Sequence, residues 1–224
     1  MEAEFIETMI LTFELASITT LILLFISIPL AAFLVFTKTR AKSIVETIVS
    51  MPLVLPPSVL GFYLLLAFSP ASFIGEFLTS HGIRLAFSFE GLVIGSILFS
   101  LPFMVHPIQS ALSQVPRSIF EAAYTLGKSK LTTLVRVVLP IIRHGLISGV
   151  VLAFAHTVGE FGVILMIGGN IPDETRVASI AIYDEVESLN YAMAHQYALT
   201  LFVVTFSILL LVYTLNKKSL EGLK

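Results

Sequence analysis

Two residues that could exchange protons or bind a metal lie inside a long apolar stretch of the chain. His156 and Glu160 are four residues apart, so both side chains share one face of a helix. Such a pair could hold a metal or act as general acid and base. It lacks the second histidine of a zinc-protease motif. We therefore expect a packing or gating pair, and we keep an enzyme that uses His156 and Glu160 as an alternative from another class.

Other catalytic chemistry is largely excluded by what the sequence lacks. The chain contains no cysteine, which excludes disulfides, thiolate catalysis and cysteine-ligated metals. It has no Gly-x4-Gly-Lys-Ser/Thr loop, so it cannot hydrolyse ATP by that route. The net charge of -2 gives no reason to expect a nucleic-acid partner. We expect no catalytic residue, no metal site and no cofactor bound by this chain.

The composition indicates a protein that lives in a lipid bilayer. Of the 224 residues, 56% are hydrophobic and 12% are charged, and the mean hydropathy is +0.96. One soluble core cannot hide that much apolar surface. About 20 apolar residues cross a bilayer as a helix. This predicts an all-α membrane bundle that forms one domain over residues 1–224, with five transmembrane helices at roughly 13–36, 48–68, 87–105, 146–167 and 194–215.

The positions of Lys and Arg predict the orientation of the five spans. Arg84 and Arg176 are the only basic residues in the segments on one side. Basic residues concentrate on the cytoplasmic side of membrane proteins. We therefore expect the N-terminus outside and the C-terminus inside. The expected cytoplasmic segments hold the other eleven of the thirteen basic residues, which are Lys38, Arg40, Lys42, Arg117, Lys128, Lys130, Arg136, Arg143, Lys217, Lys218 and Lys224.

Two outer connections are long enough to contain short helices. In residues 69–86 we expect a helix near Ser72–Leu78. In residues 170–193 we expect a helix from about Thr175 to Val186, after Pro172 and Asp173. The sequence leaves open whether either connection enters the membrane.

The sequence of the longest expected cytoplasmic loop predicts a helical hairpin at 116–140. Ser118 and Glu121 have the spacing of a capping box, in which each side chain satisfies the other's backbone donor. Gly127 supplies the left-handed conformation that ends a helix. Pro140 ends or kinks the second helix. Apolar residues form one stripe on each helix at i, i+3, i+4 and i+7, namely Ile119, Ala122, Ala123 and Leu126, then Leu131, Leu134, Val135 and Val138.

The spacing within this hairpin resembles the signature loop of ABC importer permeases. Glu121-Ala122-Ala123 is followed after three residues by Gly127 and after nine more by Val137-x-Leu139-Pro140. Val137 departs from the isoleucine usual in that family. The resemblance implies the type I importer fold and a coupling helix that sits in a cleft of a separate ATPase. On their own, the stripes and caps favour a hairpin that only covers the bundle. The implied ATPase-coupling residues are Glu121, Ala122, Ala123, Gly127, Leu139 and Pro140.

Further segments resemble molybdate permeases, so that the resemblance covers about residues 27–211. It implies translocation of molybdate or tungstate across the cytoplasmic (inner) membrane of a prokaryote; sulfate and thiosulfate permeases share much of the pattern. It also implies a homodimer, two ATP-binding subunits that bind ATP and Mg²⁺, and an extracytoplasmic oxyanion-binding protein. The matching segments are Met51-Pro52-Leu53-Val54-Leu55-Pro56-Pro57 with Gly61, Leu85-Ala86-Phe87-Ser88 with Gly91, Gly159-Glu160-Phe161-Gly162, and Asn170-Ile171-Pro172 with Glu174-Thr175-Arg176.

The same resemblance implies a translocation pathway or gate near the second and fourth spans. Clustered prolines break a membrane helix, although a packing kink explains them equally well. A carboxylate inside a bilayer is costly and is a functional candidate by default, with a structural strut as the alternative. His156 stands where molybdate permeases more often have arginine. A partner-free secondary transporter is a third hypothesis, but the sequence has no inverted repeat. The expected gate residues are Pro56, Pro57, Ser58, His156, Thr157, Gly159, Glu160 and Gly162.

Overall fold

The computed structural model of the chain describes residues 2–221, and every regular element in that range is helical. The all-α prediction is confirmed. Lys224, which we placed on the cytoplasmic side, lies outside the described residues. The helices are α1 (Glu2–Phe36), α2 (Ala41–Ser50), α3 (Pro57–Phe68), α4 (Phe73–Ser80), α5 (Phe89–Ser113), α6 (Arg117–Thr125), α7 (Lys130–Thr133), α8 (Leu139–Ile141), α9 (Arg143–Gly159), α10 (Gly162–Gly168), α11 (Ala178–Glu187) and α12 (Tyr191–Glu221).

Three helices of the described chain are long and apolar enough to cross a membrane unbroken. They are α1, α5 and α12. Two further apolar segments are bent pairs, and each counts as one span only if its two parts are taken together. The segment Ala41–Leu53 meets Pro57–Phe68 at 111°, and Lys130–Ile141 meets Arg143–Gly159 at 78°. The number of spans is therefore three, or up to five, which agrees with the predicted five when each bent pair is one span.

The first helix begins eleven residues earlier than the predicted span at 13. Its acidic first turns lower the local hydropathy, but tertiary contacts hold them in helical form. The Thr12 hydroxyl donates to the Thr8 carbonyl at 2.7 Å and accepts from the Ala178 amide at 2.8 Å. The Glu4 carboxylate lies 3.1 Å from the Arg176 guanidinium. The first turns of α1 therefore pack on α11.

The helix breaks lie where the sequence removes hydrogen-bond donors or permits extended backbone. Pro56 is extended, with φ -55° and ψ 135°, and Pro57 is the first residue of α3. A residue before proline is pushed out of the helical region, and proline itself fits the first helical turn. Glu160 is also extended, with φ -68° and ψ 133°, between α9 and α10. The predicted fourth span at 146–167 is thus interrupted in its outer third.

The core forms where α5 packs between α1 and α9. Its centre is apolar and fully buried, with Met104 and Ile108 of α5 against Leu23 and Leu34 of α1. Gly149 of α9 lets that helix approach α5, because a Cβ at this position would lie 3.1 Å from the Met104 carbonyl oxygen. This packing fixes α9, whose last turn carries three of the eight predicted gate residues, His156, Thr157 and Gly159.

Both predicted outer helices exist, and one has shifted bounds. Ser72 caps α4, and its hydroxyl accepts from the Gly75 amide at 2.9 Å. The helix predicted from Thr175 begins instead at Ala178. Thr175 is fully buried in the preceding loop, where its hydroxyl donates to the Gly168 carbonyl at 2.7 Å and accepts from the Ile171 amide at 3.0 Å. These bonds hold the loop closed and delay the helix.

Candidate functional site

The hairpin at 116–140 folds as two short helices joined by a left-handed glycine. Gly127 has φ +73°. Its amide donates to the Tyr124 carbonyl at 2.9 Å, and the Lys128 amide donates to the Ala123 carbonyl at 3.0 Å. This pair of backbone hydrogen bonds is the Schellman motif, which satisfies the last carbonyls of a helix. The predicted glycine bend is therefore confirmed.

The predicted capping box at the start of the hairpin is wrong. α6 begins at Arg117 directly after Pro116, and no side chain caps it. Ser118 is therefore the second helical residue instead of the residue before the helix. Proline is well suited to a helix start because it has no amide hydrogen to leave unsatisfied. It takes over the role that we assigned to the Ser118–Glu121 pair.

The predicted apolar stripes divide between the bundle and the surface. Ala123 and Val138 are buried against the rest of the chain. Leu126 is 77% exposed and Leu131 is 71% exposed, and Glu121 and Ala122 are exposed as well. We call the exposed set, which consists of Glu121, Ala122, Leu126 and Leu131, the coupling face after the role predicted for this hairpin. Ala123 holds the hairpin to the bundle and is covered.

The second half of the hairpin departs from a regular helix. Ser129 caps α7, accepting from the Thr132 amide at 3.2 Å. A π-helical segment, Leu134–Val138, follows before α8. Pro140 cannot donate to the carbonyl four residues before it, so the regular ladder is interrupted there. The helix nevertheless continues one residue beyond Pro140, and the bend to α9 falls at Ile142.

A cleft of about 630 Å³ opens beside the break between α9 and α10, and we call it the α9–α10 cleft. Pro56 and Thr157, also predicted as gate residues, do not line it. Phe99, Ala155 and Phe161 line it and were not predicted. The structure thus brings together six of the eight predicted gate residues, which are Pro57, Ser58, His156, Gly159, Glu160 and Gly162.

His156 is held by a chain of hydroxyl groups and two aromatic rings. Its Nδ1 lies 2.9 Å from the Ser100 hydroxyl, which lies 2.9 Å from the Thr157 hydroxyl. Thr157 in turn donates to the Ala153 carbonyl at 2.9 Å. The Phe103 ring stacks on the imidazole with centroids 3.9 Å apart. Thr157 therefore fixes the orientation of His156 through Ser100, a residue that sequence reasoning missed because it lies 56 positions away.

Glu160 is a buried carboxylate at the wall of this cleft. The residue is 3% exposed, and its side-chain oxygens accept no hydrogen bond from any described residue. The Ser96 hydroxyl lies beside it without a hydrogen bond of its own. The backbone carbonyl of Glu160 accepts from the Ser179 hydroxyl at 2.6 Å. The backbone is therefore anchored to α11, while the side-chain carboxyl group accepts no hydrogen bond within residues 2–221.

Gly162 makes the closest contact between the two broken spans. A Cβ at this position would lie 2.7 Å from the Cβ of Pro57. Gly61, one turn along α3, is similarly tight, with 2.8 Å to the Met166 Cβ. The two helices therefore fit together because a glycine on each one faces a larger residue on the other. The starts of both helices line the cleft.

No group of three or more His, Cys, Asp or Glu side chains within residues 2–221 is placed to hold a metal ion. The Nδ1 atom of His156 lies against the Ser100 hydroxyl, and the polar group beside the Glu160 carboxyl group is the Ser96 hydroxyl. The predicted shared helix face is wrong, because α9 ends at Gly159 and Glu160 is extended. The two side chains line the same cleft from either side of the helix end.

Arg176 gathers three acidic side chains at the end of the bundle opposite the hairpin. Its guanidinium lies 3.1 Å from Glu4, 3.3 Å from Asp184 and 3.3 Å from Glu185, and only 11% of its side chain is exposed. This outer cluster joins the start of α1 to α11. On α11, a 2.6 Å hydrogen bond to the Glu187 carboxylate raises the pKa of the Tyr183 hydroxyl.

Replacing Arg176 by methionine should destabilise the protein by about 1–2 kcal/mol, because three carboxylates are left facing one another with partial burial. This corresponds to roughly 2–8 °C in Tm for a chain of this size. Arg84→Met is the matched control, since Arg84 pairs with Glu174 at 2.7 Å but is 64% exposed. Thermal unfolding in detergent measures both; equal shifts for the two variants would contradict a special role for Arg176.

Comparison with known proteins gives consistent results for the sequence and the fold. Residues 24–220 match the family described as "Binding-protein-dependent transport system inner membrane component". The Azotobacter vinelandii protein called "Molybdenum transport system permease protein ModB" is 45% identical over 91% of both chains. The "Probable sulfate transport system permease protein cysT" of Zygnema circumcarinatum is 34% identical over 93% of this chain and 73% of that protein.

A solved structure with the same fold is the bacterial alginate ABC transporter in complex with an alginate pentasaccharide-bound periplasmic protein. It superimposes with a TM-score of 0.78 at 20% identity, covering 96% of this chain and 79% of that one. The fold is therefore that of an ABC importer permease, a multi-pass protein of the inner membrane. In this family ATP is hydrolysed by a separate subunit, so the chain is not itself an enzyme. The match over residues 24–220 places this chain in the family of binding-protein-dependent transport system inner membrane components.

Proposed function

We propose that this chain is the membrane subunit through which an ATP-driven importer passes molybdate or tungstate. The observation that carries the substrate is the 45% identity, over 91% of both chains, to a relative named as a molybdenum permease. The α9–α10 cleft supports it, because Ser58 and the glycine backbone offer neutral, weak contacts to a dianion. Weak contacts suit a path from which the ion must leave. Sulfate or thiosulfate is the second candidate, favoured by the 34% identity to a sulfate permease.

Substrate competition in the reconstituted transporter tests this proposal. The chain, its ATPase and its binding protein are placed in proteoliposomes, and uptake of labelled molybdate is measured against unlabelled tungstate and sulfate. We expect tungstate to compete at concentrations similar to molybdate and sulfate only at far higher ones. If unlabelled sulfate blocked the uptake as strongly as unlabelled molybdate does, the chain would be assigned to the sulfate permeases instead.

The proposed assembly is a homodimer with two ATP-binding subunits on the cytoplasmic face and an extracytoplasmic oxyanion-binding protein outside. The family description requires a binding protein in general terms, and three to five spans are few for a complete pathway within one chain. ATP and Mg²⁺ bind the partner subunits. The coupling face supplies the ATPase contact, with Glu121, Ala122 and the neighbouring Leu126 exposed for it. Gly127, Ala123, Leu139 and Pro140 hold the hairpin in shape.

The N-terminus is proposed to lie outside and the hairpin inside, on the basis of the basic residues. The cysteine-free sequence makes this directly testable. A single cysteine at Lys128 should react with a membrane-impermeant maleimide only after the membrane is opened, whereas one at Ser80 should react in intact cells. Both positions are exposed. The reverse pattern would invert the topology.

Glu160 is proposed to act in the gate and not as a strut, because its carboxylate holds nothing in place in this conformation. Glu160→Gln replaces a buried carboxyl group, whose ionised form is costly to bury, by an amide that cannot ionise. We therefore expect the variant to raise the Tm by a few degrees and to lower the transport rate. A strut would behave in the opposite way, with a lower Tm, so a thermal melt combined with an uptake assay separates the two roles.

A further inference from the structure

The last two turns of α5 carry a polar stripe that the proposed pathway does not use. His106, Gln109, Ser110 and Ser113 follow one another at i, i+3, i+4 and i+7, so they share one face over roughly 10 Å. Adjacent residues of the same helix, such as Ile108, are fully buried and apolar. A polar stripe on an apolar span faces a cavity, a partner or water, because hydrocarbon cannot satisfy it.

This stripe faces a cavity of about 350 Å³ between α1, α2 and α5. We call it the inner pocket and define it by His106, Gln109, Ser110, Ser113 and the side chain of Lys42 from α2. Leu34 and Val35 of α1 complete the lining. The volume corresponds to about ten waters at roughly 30 Å³ each. The inner pocket shares no lining residue with the α9–α10 cleft.

The groups that line the inner pocket are suited to an anion. Lys42 is only partly exposed and forms no ion pair with any residue in the described range 2–221. The nearby carboxylate of Glu46 does not line the pocket, and it accepts from the Gln109 side-chain amide at 3.0 Å. His106 is held by Ser50, with 3.3 Å between the hydroxyl and Nε2. The Ser113 hydroxyl donates to the Ser110 carbonyl at 2.7 Å. The pocket thus presents an ammonium, an imidazole, the second amide hydrogen of Gln109 and the Ser110 hydroxyl, and its lining contains no carboxylate.

We propose that the inner pocket binds a tetrahedral oxyanion or phosphoryl group, with Lys42 as its charge partner and His106, Gln109 and Ser110 of the stripe as its hydrogen-bond donors. Lysine is a common point-charge binder of such groups. The cytoplasmic position of the pocket rests on the proposed topology. Two sources share this chemistry: an oxyanion that has arrived inside, and the phosphate headgroup of an inner-leaflet lipid, for which basic pockets between helices are known sites.

The test uses the complex of this chain with its ATPase, purified without the binding protein and depleted of lipid. Equilibrium binding of molybdate, sulfate and inorganic phosphate is measured for the wild type, Lys42→Gln, Lys42→Arg and Lys38→Gln. Lys38 is the matched control, since it is exposed in the same basic segment but does not line the pocket. We expect Lys42→Gln to weaken one class of sites at least tenfold, and Lys42→Arg and Lys38→Gln to change it less than threefold.

A lipid arm distinguishes the two sources. The same variants are placed in nanodiscs of phosphatidylglycerol, and native mass spectrometry counts the lipids that stay bound after detergent extraction. Loss of one retained lipid per chain in Lys42→Gln, with no change in oxyanion binding, identifies the headgroup as the occupant. If neither oxyanion binding nor lipid retention differs between Lys42→Gln and Lys38→Gln, the inner pocket is not an anion site. Because phosphate is among the probes, this outcome is independent of whether molybdate is the cargo.

Discussion

Replacing Gly127 by valine should reduce transport-coupled ATP hydrolysis about tenfold or more while leaving the chain in the membrane. Gly127 has φ +73°, a conformation that costs an L-residue about 1–2 kcal/mol and a β-branched one more. The space around it is open, so the penalty is conformational and not steric. The hairpin can relax only by changing φ, which turns Lys128 and Leu131 away from their present positions. A cost of 1.4 kcal/mol already changes a population tenfold.

Gly82 provides a control with the same backbone penalty in a different place. It has φ +76° and open space around it, and it lies in the connection between α4 and α5. Gly82→Val therefore introduces similar strain at the opposite end of the bundle from the hairpin. ATP hydrolysis by the assembled complex, measured with loaded binding protein, should fall in Gly127→Val and persist in Gly82→Val. If Gly127→Val hydrolysed ATP at the normal rate, this would contradict the proposed coupling role of the hairpin.

Gly162→Ala should abolish most substrate uptake, because it forces apart the two helix starts that line the α9–α10 cleft. The added Cβ would lie 2.7 Å from the Cβ of Pro57, closer than carbon atoms approach without repulsion. The proline ring is rigid and cannot rotate away. Overpacking of this kind typically costs about 1–3 kcal/mol. We expect the cost to appear as a displaced α3, and uptake in proteoliposomes to fall at least tenfold.

A double variant tests whether this contact is responsible. Pro57→Gly removes the Cβ that meets the new methyl group, so Pro57→Gly/Gly162→Ala should recover uptake relative to Gly162→Ala alone. Such a recovery is a coupling between neighbouring sites, which independent effects cannot produce. Additive losses in the double variant would show that Gly162→Ala acts through something other than its contact with Pro57.

The sequence predicts the helices well where hydropathy decides them and less well where tertiary contacts do. The α5 helix and the break at Pro56 follow from local hydropathy and proline chemistry. The break at Glu160 was not predicted, since the sequence indicated one continuous span at 146–167. The early start of α1 does not follow from the local sequence either, because the Thr12 bond to Ala178 spans 166 positions. The same holds for Thr175, whose buried hydroxyl delays α11. The π-helical segment at Leu134–Val138 had no local signal apart from Pro140.

The candidate gate illustrates the same limit at the level of side chains. Spacing predicts His156 and Glu160 on one helix, whereas α9 ends at Gly159. Spacing also cannot state what each side chain contacts. His156 is bonded through Ser100 to Thr157, so Thr157 belongs to the support of the cleft and not to its wall. Glu160 reaches the cleft because the helix ends before it. The support of His156 depends on contacts with α5, and no sequence motif connects α5 with the segment that carries His156 and Glu160.

The last helix makes few contacts within its own chain. Only 6% of the most apolar window in Tyr191–Thr214 is buried by the rest of the protein, and large side chains such as Phe202 and Phe206 are more than half exposed. Within this subunit, these exposed side chains need only be apolar, because few of them pack against the rest of the chain. Over evolutionary time, such a surface should drift freely among Leu, Ile, Val and Phe. Any position on α12 that resists this drift would be held by selection from a neighbour outside the chain.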